Sequence, residues 1–219
     1  MKAIIFDLDG TLIDSAPDIH AAVNKTLAEV GAGELPYDTV RGFIGNGVAV
    51  LIERVIDAQG LDQGRHGALL EIFLRHYEAD PATLTTLYPG VQDAIETFRD
   101  EGWKMGVCTN KPEGPTRAIL SAFGIDGFFD SVVGGDTLDV KKPDPAPLLA
   151  CKEQLGARAA VYVGDSEIDA ECAQKAGIRF ALYTEGYRKG EVDDMPQDAR
   201  FSDYDVLVAI VARLADELR

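Results

Sequence analysis

Cysteine, histidine and positive charge are all scarce in this chain, and each shortage excludes something. Cys108, Cys151 and Cys172 are odd in number and show no CxxC spacing, which argues against a disulfide framework and points to reduced thiols in a cytoplasmic setting. His20, His66 and His76 lack metal-ligand spacing, leaving them surface or helix-packing roles. With 21 Lys and Arg against 37 Asp and Glu, the formal net charge is -16, a field that repels nucleic-acid backbones and anionic membranes. No apolar run is long enough to span a bilayer, and the first residues read as a core strand rather than a signal segment. Neither nucleic acid nor membrane is an expected partner. No internal repeat or low-complexity segment is present.

What remains is the composition of an ordinary globular protein, 46% hydrophobic and 26% charged over 219 residues, long enough for one large domain or two smaller ones. Its organising stretch is the N-terminal run Met1-Lys2-Ala3-Ile4-Ile5-Phe6-Asp7-Leu8-Asp9-Gly10-Thr11-Leu12. An apolar run of β-branched and aromatic residues reads as a buried strand, and it ends in two acids, a glycine and a hydroxyl. Ligands of open parallel sheets bind beyond the carboxyl ends of the strands. Two carboxylates held close there repel unless a cation, a shared proton or a reacting group lies between them, so a divalent metal is expected.

Downstream the period changes to that of helices. Pro17 to Gly31, Val48 to Ala58 and Ala68 to Tyr77 each carry an apolar face at helical spacing, with Ser15 as an N-cap candidate. Residues 15–81 therefore read as a small helical insertion. From Tyr88 onward the chain alternates. Helices are expected at Val91–Arg99, Pro115–Phe123, Pro147–Leu155, Ala170–Ala176 and Tyr204–Leu218, with strands at Lys104–Cys108, Phe129–Val133, Ala160–Val163 and Phe180–Tyr183. Such alternation means a Rossmann-like α/β parallel sheet covered on both faces, here formed by residues 1–14 and 82–219.

Three further strand ends carry chemistry. Thr109-Asn110-Lys111-Pro112 offers a hydroxyl, an amide and turn N–H groups that can hold phosphoryl oxygens, although a capping Thr would look the same. Lys141-Lys142-Pro143-Asp144-Pro145 places a Lys between prolines before a helix, a fixed charge for an anion or a surface decoration. Gly164-Asp165-Ser166-Glu167-Ile168-Asp169 ends a strand in an acid, with a second acid in the first helical turn. Asp165 is the better metal ligand, and Asp169 could orient it or the metal's waters. Consistency across four strand ends is stronger evidence than any one of them.

In that order the four motifs resemble those of the haloacid dehalogenase superfamily, and the insertion resembles that family's type 1 helical cap. The stretch DLDGTLIDSAPDI, Ile44-Gly45-Asn46-Gly47, the Lys-Pro motifs and Glu185-Gly186-Tyr187 are similar to the branch acting on 2-phosphoglycolate. The resemblance implies a Mg²⁺-dependent phosphomonoester hydrolase, monomeric or homodimeric, whose substrate is a small phosphate ester. Asp7 would be the nucleophile and Asp9 the acid and base. Thr109 and Lys142 would hold the phosphoryl group, with Thr11 and Asn110 beside it. The metal would take Asp7, Asp9 through its main-chain carbonyl, and Asp165, with Asp169 near. Arg41 and Asn46, beside glycines in the insertion, are candidates to meet a second anionic group, or Arg41 is simply solvated. The rivals are a phosphatase for another small ester, a sugar phosphomutase, a non-enzymatic phospho-Asp switch, and a scaffold that has lost its chemistry.

Overall fold

The computed structural model describes residues 2–79 and 82–217. Strand β1 (Lys2–Phe6) runs through the centre, and the chain leaves it for a short strand β2 (Ile13–Asp14) and four helices: α1 (Ala16–Glu29), α2 (Tyr37–Arg41), α3 (Val48–Gln59) and α4 (His66–Ala79). It returns through β3 (Thr86–Leu87) and then alternates: α5 (Val91–Asp100), β4 (Lys104–Cys108), α6 (Glu113–Ala122), β5 (Ser131–Val133), α7 (Ala146–Gln154), β6 (Ala159–Gly164), α8 (Glu167–Ala176), β7 (Arg179–Tyr183), β8 (Ala199–Phe201) and α9 (Leu207–Asp216). The sheet order is β5-β4-β1-β6-β7-β8, with every pairing parallel. This is the Rossmann-like α/β architecture.

A strand buried on both faces sends alternate residues to two cores. Ile4, Phe6 and Leu8 join Val107, Val161 and Val163 in a cluster that continues into the helical segment through Ile19, Val23 and Phe73. Ala3 and Ile5 join Cys108, Tyr162 and Leu182 beneath α7 and α8. The three thiols are free and buried, and burial pushes the Cys151 thiol up to about 11.

Within the helical segment α1 packs on α2 and α4, and α3 on α4. The segment's two connections to the sheet are paired: β2 and β3 form an antiparallel ribbon with Ile13 opposite Leu87 and Asp14 opposite Thr86. Asp18 in α1 reinforces it, its carboxylate accepting from the Thr85 N–H at 2.8 Å and the Thr85 hydroxyl at 2.6 Å.

Several differences from the sequence reading have local causes. The five-residue α2, the ribbon and the three-residue β8 are too short to carry a period. The strand expected from Phe129 begins at Ser131, because a 3₁₀ turn at Asp126–Phe128 precedes it. The last helix starts at Leu207 after a 3₁₀ turn, and its expected end at Leu218 lies outside the described residues, as does residue 81 of the expected boundary.

Candidate active site

Register places the chemistry. Phe6 pairs with Val107 on one side and Val163 on the other, so Asp7, Thr109 and Asp165 emerge at neighbouring strand ends. The Asp7 N–H donates to Val163 O at 2.8 Å, and the Thr109 N–H to Val133 O at 3.0 Å.

Asp7, Asp165 and Asp169 bring carboxylate oxygens within 4.8 Å of one another, all buried. Against these three acids stands one ammonium: Lys142 Nζ lies 2.9 Å from Asp7 Oδ1 and 2.7 Å from Asp169 Oδ1. The imbalance appears in the acidities. Burial, against the pull of Lys142 and with the push of Asp169, raises Asp7 to about 7. Burial and the charges of Asp169 and Asp7 raise Asp165 well above the carboxylate range. Burial would also raise Asp169, but the Lys142 charge and hydrogen bonds from Lys142, Ser166 and Tyr162 hold it low. Lys142 is pushed upward by Asp169 and Asp7 despite burial. A buried cluster with an excess of negative charge and two carboxylates held against ionisation fits a divalent cation, which would favour their charged forms.

The three acids differ in the donors they meet. Thr11 Oγ1 donates to Asp165 Oδ1 at 3.0 Å and the Tyr187 N–H to Asp165 Oδ2 at 2.5 Å. Gly10 lies at φ +88°, and a Cβ there would come within 2.5 Å of Asp165 Oδ2, so only glycine lets the turn close on this carboxylate. Asp169 is fully engaged. Oδ1 accepts from Lys142 and from the Tyr162 hydroxyl at 2.7 Å each, and Oδ2 accepts from the Ser166 hydroxyl at 2.7 Å and the N–H groups of Asp165 and Ser166. Asp7 and Asp165 thus meet fewer donors than Asp169, whose carboxylate also holds Lys142 and caps α8.

Asp9 contributes no carboxylate oxygen to that cluster. Its oxygens face Lys111 Nζ at 3.0 and 3.1 Å, and Oδ1 also accepts from the Ser15 hydroxyl at 2.5 Å. Ser15 stands at the N-cap position of α1 yet spends its hydroxyl on Asp9 instead of the helix. Thr109 Oγ1 accepts from the Lys111 N–H at 3.3 Å. Asn110 donates to Gly45 O and Lys142 O, both at 3.0 Å, which ties the helical segment to the Lys142 turn.

A cavity opens between these strand ends and the helical segment. Asp7, Asp9, Thr109 and Asn110 line its floor; Ile19, Ile44, Leu51, Phe73 and Tyr77 make an apolar wall. Among the described residues, neither Arg41 nor Asn46 lines it. Arg41 donates to Gly186 O at 2.6 Å and lies 5.3 Å over the Tyr187 ring, while Asn46 Oδ1 accepts from Arg54 at 2.8 Å. Two side chains that sequence reasoning passed over do reach the site. Tyr162 bridges Lys142 and Asp169, signalled only by a Tyr in an otherwise aliphatic strand, and Lys111 sat unassigned inside a motif already singled out.

Asp7 and Asp165 at strand ends, a buried Lys beside them and a helical segment over them define a family. Residues 4–183 match the model of the haloacid dehalogenase-like hydrolases, and the chain belongs to that family. It is a phosphatase. A phosphoglycolate phosphatase of Cereibacter sphaeroides (strain ATCC 17029) is 54% identical over 216 residues, covering 98% of this chain and 99% of that one. One from Aquifex aeolicus is 41% identical over 191 residues, covering 86% and 87%. The crystal structure of a predicted phosphoglycolate phosphatase from Haemophilus somnus superposes with a TM-score of 0.91 at 32% identity, over 96% of this chain and 97% of that one.

Proposed function

We propose that this phosphatase hydrolyses 2-phosphoglycolate to glycolate and phosphate through an aspartyl-phosphate on Asp7, with Mg²⁺ as cofactor, in the cytoplasm. One observation carries the reading: two acids two residues apart are given opposite surroundings, Asp7 beside the cation-deficient cluster and Asp9 on the Ser15 and Lys111 side. Pairs of carboxylates with divided environments take divided roles.

Asp7 attacks phosphorus while Asp9 protonates the departing ester oxygen. Asp9 then takes a proton from the water that cleaves the aspartyl-phosphate, so one residue acts as acid and then base. A carboxylate approaching a phosphate dianion meets repulsion of about 4 kcal/mol per pair of unit charges at 4 Å and an effective dielectric of 20. Lys142 opposes it from 2.9 Å, and Thr109 faces the transferring group's oxygens. Mg²⁺, held by Asp7, Asp165 and the main-chain carbonyl of Asp9, would supply further charge neutralisation. The helical segment acts as a cap that excludes water and meets the leaving group. The name of the relatives supports the choice of ester.

The test is phosphate release from 2-phosphoglycolate and a panel of sugar, nucleotide and amino-acid phosphates, with Mg²⁺ and with EDTA, using Asp7→Asn as blank. A Mg²⁺-dependent preference for 2-phosphoglycolate is expected. Faster release from another ester would replace the substrate and keep the chemistry; wild type matching the blank throughout would favour a mutase or a phospho-Asp switch.

A further inference from the structure

We infer that Lys111 is the specificity-determining residue that reads the leaving group's carboxylate, an inference that rests on the substrate proposed above. Among the described residues lining the cavity, Lys111 is the only cation, set against an apolar wall of Ile19, Ile44, Leu51, Phe73 and Tyr77. Its ammonium is nearly buried, with 6% of the side chain exposed, and lies 4.6 Å from the centre of the Tyr77 ring. A cation buried in an apolar pocket is costly unless it is paired, and Asp9 is the carboxylate that pairs it.

The position relative to Asp9 fixes what Lys111 can touch. Asp9 must face the ester oxygen it protonates, and in 2-phosphoglycolate the carboxylate hangs one methylene from that oxygen. A carboxylate so placed lies beside Asp9, where Lys111 Nζ already stands 3.0 Å from Asp9 Oδ1. An ammonium has three donors and is not exhausted by a single carboxylate partner, so it can bridge Asp9 and the incoming group. Charge then separates an anionic leaving group from a neutral one, because apart from the Tyr77 hydroxyl the apolar wall carries no polar side-chain atom. Arg41 and Asn46 have other partners, and Lys189 lines only the neighbouring cavity on the Asp165 side.

The test compares kcat/KM for 2-phosphoglycolate with that for ethyl phosphate in wild type, Lys111→Met, Lys111→Arg and Lys189→Met. The ratio is the readout, because Lys111 touches Asp9 and both rates fall in any Lys111 variant. In Lys111→Met the preference for 2-phosphoglycolate drops by roughly 10- to 100-fold, the scale of a lost charge-assisted hydrogen bond, while Lys111→Arg keeps most of it and Lys189→Met all of it. Lys111→Gln, polar and of similar reach, is the second variant should Lys111→Met fail to fold. A wild type that prefers 2-phosphoglycolate and keeps that preference in Lys111→Met and Lys111→Gln, or loses it in Lys189→Met, overturns this inference and leaves the proposed substrate standing. A wild type without the preference overturns the substrate and this inference together.

Discussion

The two sides of the active site are built by different means. Around Asp7 stand Asp165 at the end of β6, Asp169 in the first turn of α8 and Lys142 in the loop before α7, each buried and each with more than one hydrogen-bond partner. Around Lys111, one ammonium on a βα turn faces side chains from α1, α3 and α4, which belong to the helical segment. The first region is over-determined and holds atoms that must not move by fractions of an ångström. The second is an apolar wall with one charge, where a change in the wall alters shape without touching Asp7, and a change of Lys111 alters the sign beside Asp9. The chemistry proposed for Asp7 is lodged in the sheet, while the proposed reading of the leaving group is shared between a βα turn of the sheet and the helical segment above it.

Substitutions should respect that division. Asp7→Asn is the most damaging: turnover falls by about four orders of magnitude or more with all esters alike, while circular dichroism and thermal melting stay near wild type. Asp9→Asn follows, with a loss of about 10²- to 10⁴-fold; burst-phase quench flow should show slow formation and slow hydrolysis of phosphoenzyme, and normal rates for both would break its dual role. Lys142→Met leaves Asp7 and Asp169 without their shared cation, so activity falls for every ester and denaturant melts show a loss of about 3–5 kcal/mol. If Lys142→Met altered the ratio between esters instead, the division between the two sides would fail.

Smaller effects sharpen the same contrast. Asp7, raised to about 7 by burial from an unfolded value near 3.9, binds its proton more tightly in the folded state. The stability it contributes is complete below the unfolded value and lost as pH rises through 7, leaving Asp7 to share the one ammonium of Lys142 with Asp169 in the cation-free protein. The gain in melting temperature from Mg²⁺ should therefore be larger at pH 8 than at pH 5.5, and a pH-independent gain would sink the assignment of Asp7 as a ligand. Arg41→Ala removes one hydrogen bond to Gly186 O, worth about 0.5–1.5 kcal/mol, and should raise KM for all esters by a similar small factor.

The sequence disclosed the first region far better than the second. A buried strand announces itself by its apolar run, and whatever polar residue ends it must stand at the sheet's edge, so Asp7, Thr109 and Asp165 could be placed from the pattern, whereas Lys142, well past the end of β5 at Val133, reads as readily as a surface lysine. The partners of a side chain leave no such trace. Asp169 shows a place in the acid cluster but not the five donors its carboxylate meets, and Ser15 reads as a cap until its hydroxyl is found on Asp9. Arg41 and Asn46 sit beside glycines as expected, but the Gly45 main chain, not their side chains, meets Asn110. Lys111 was within reach: a Lys one residue past Thr109-Asn110, braced by Pro112 at the start of α6, has little freedom to leave the sheet edge.

The ribbon of β2 and β3 has a consequence for the chain's topology. Departure and return are hydrogen-bonded to each other, so seen from the sheet everything between Asp14 and Thr86 is a closed loop whose ends already touch. The closure entropy of such a loop grows only with the logarithm of its length, about 0.6 kcal/mol for each doubling. The sheet is therefore almost indifferent to how many residues the excursion contains. Length can be added to the excursion at small cost in closure entropy, while its helices stay tied to the sheet through the core they share at Ile19, Val23 and Phe73.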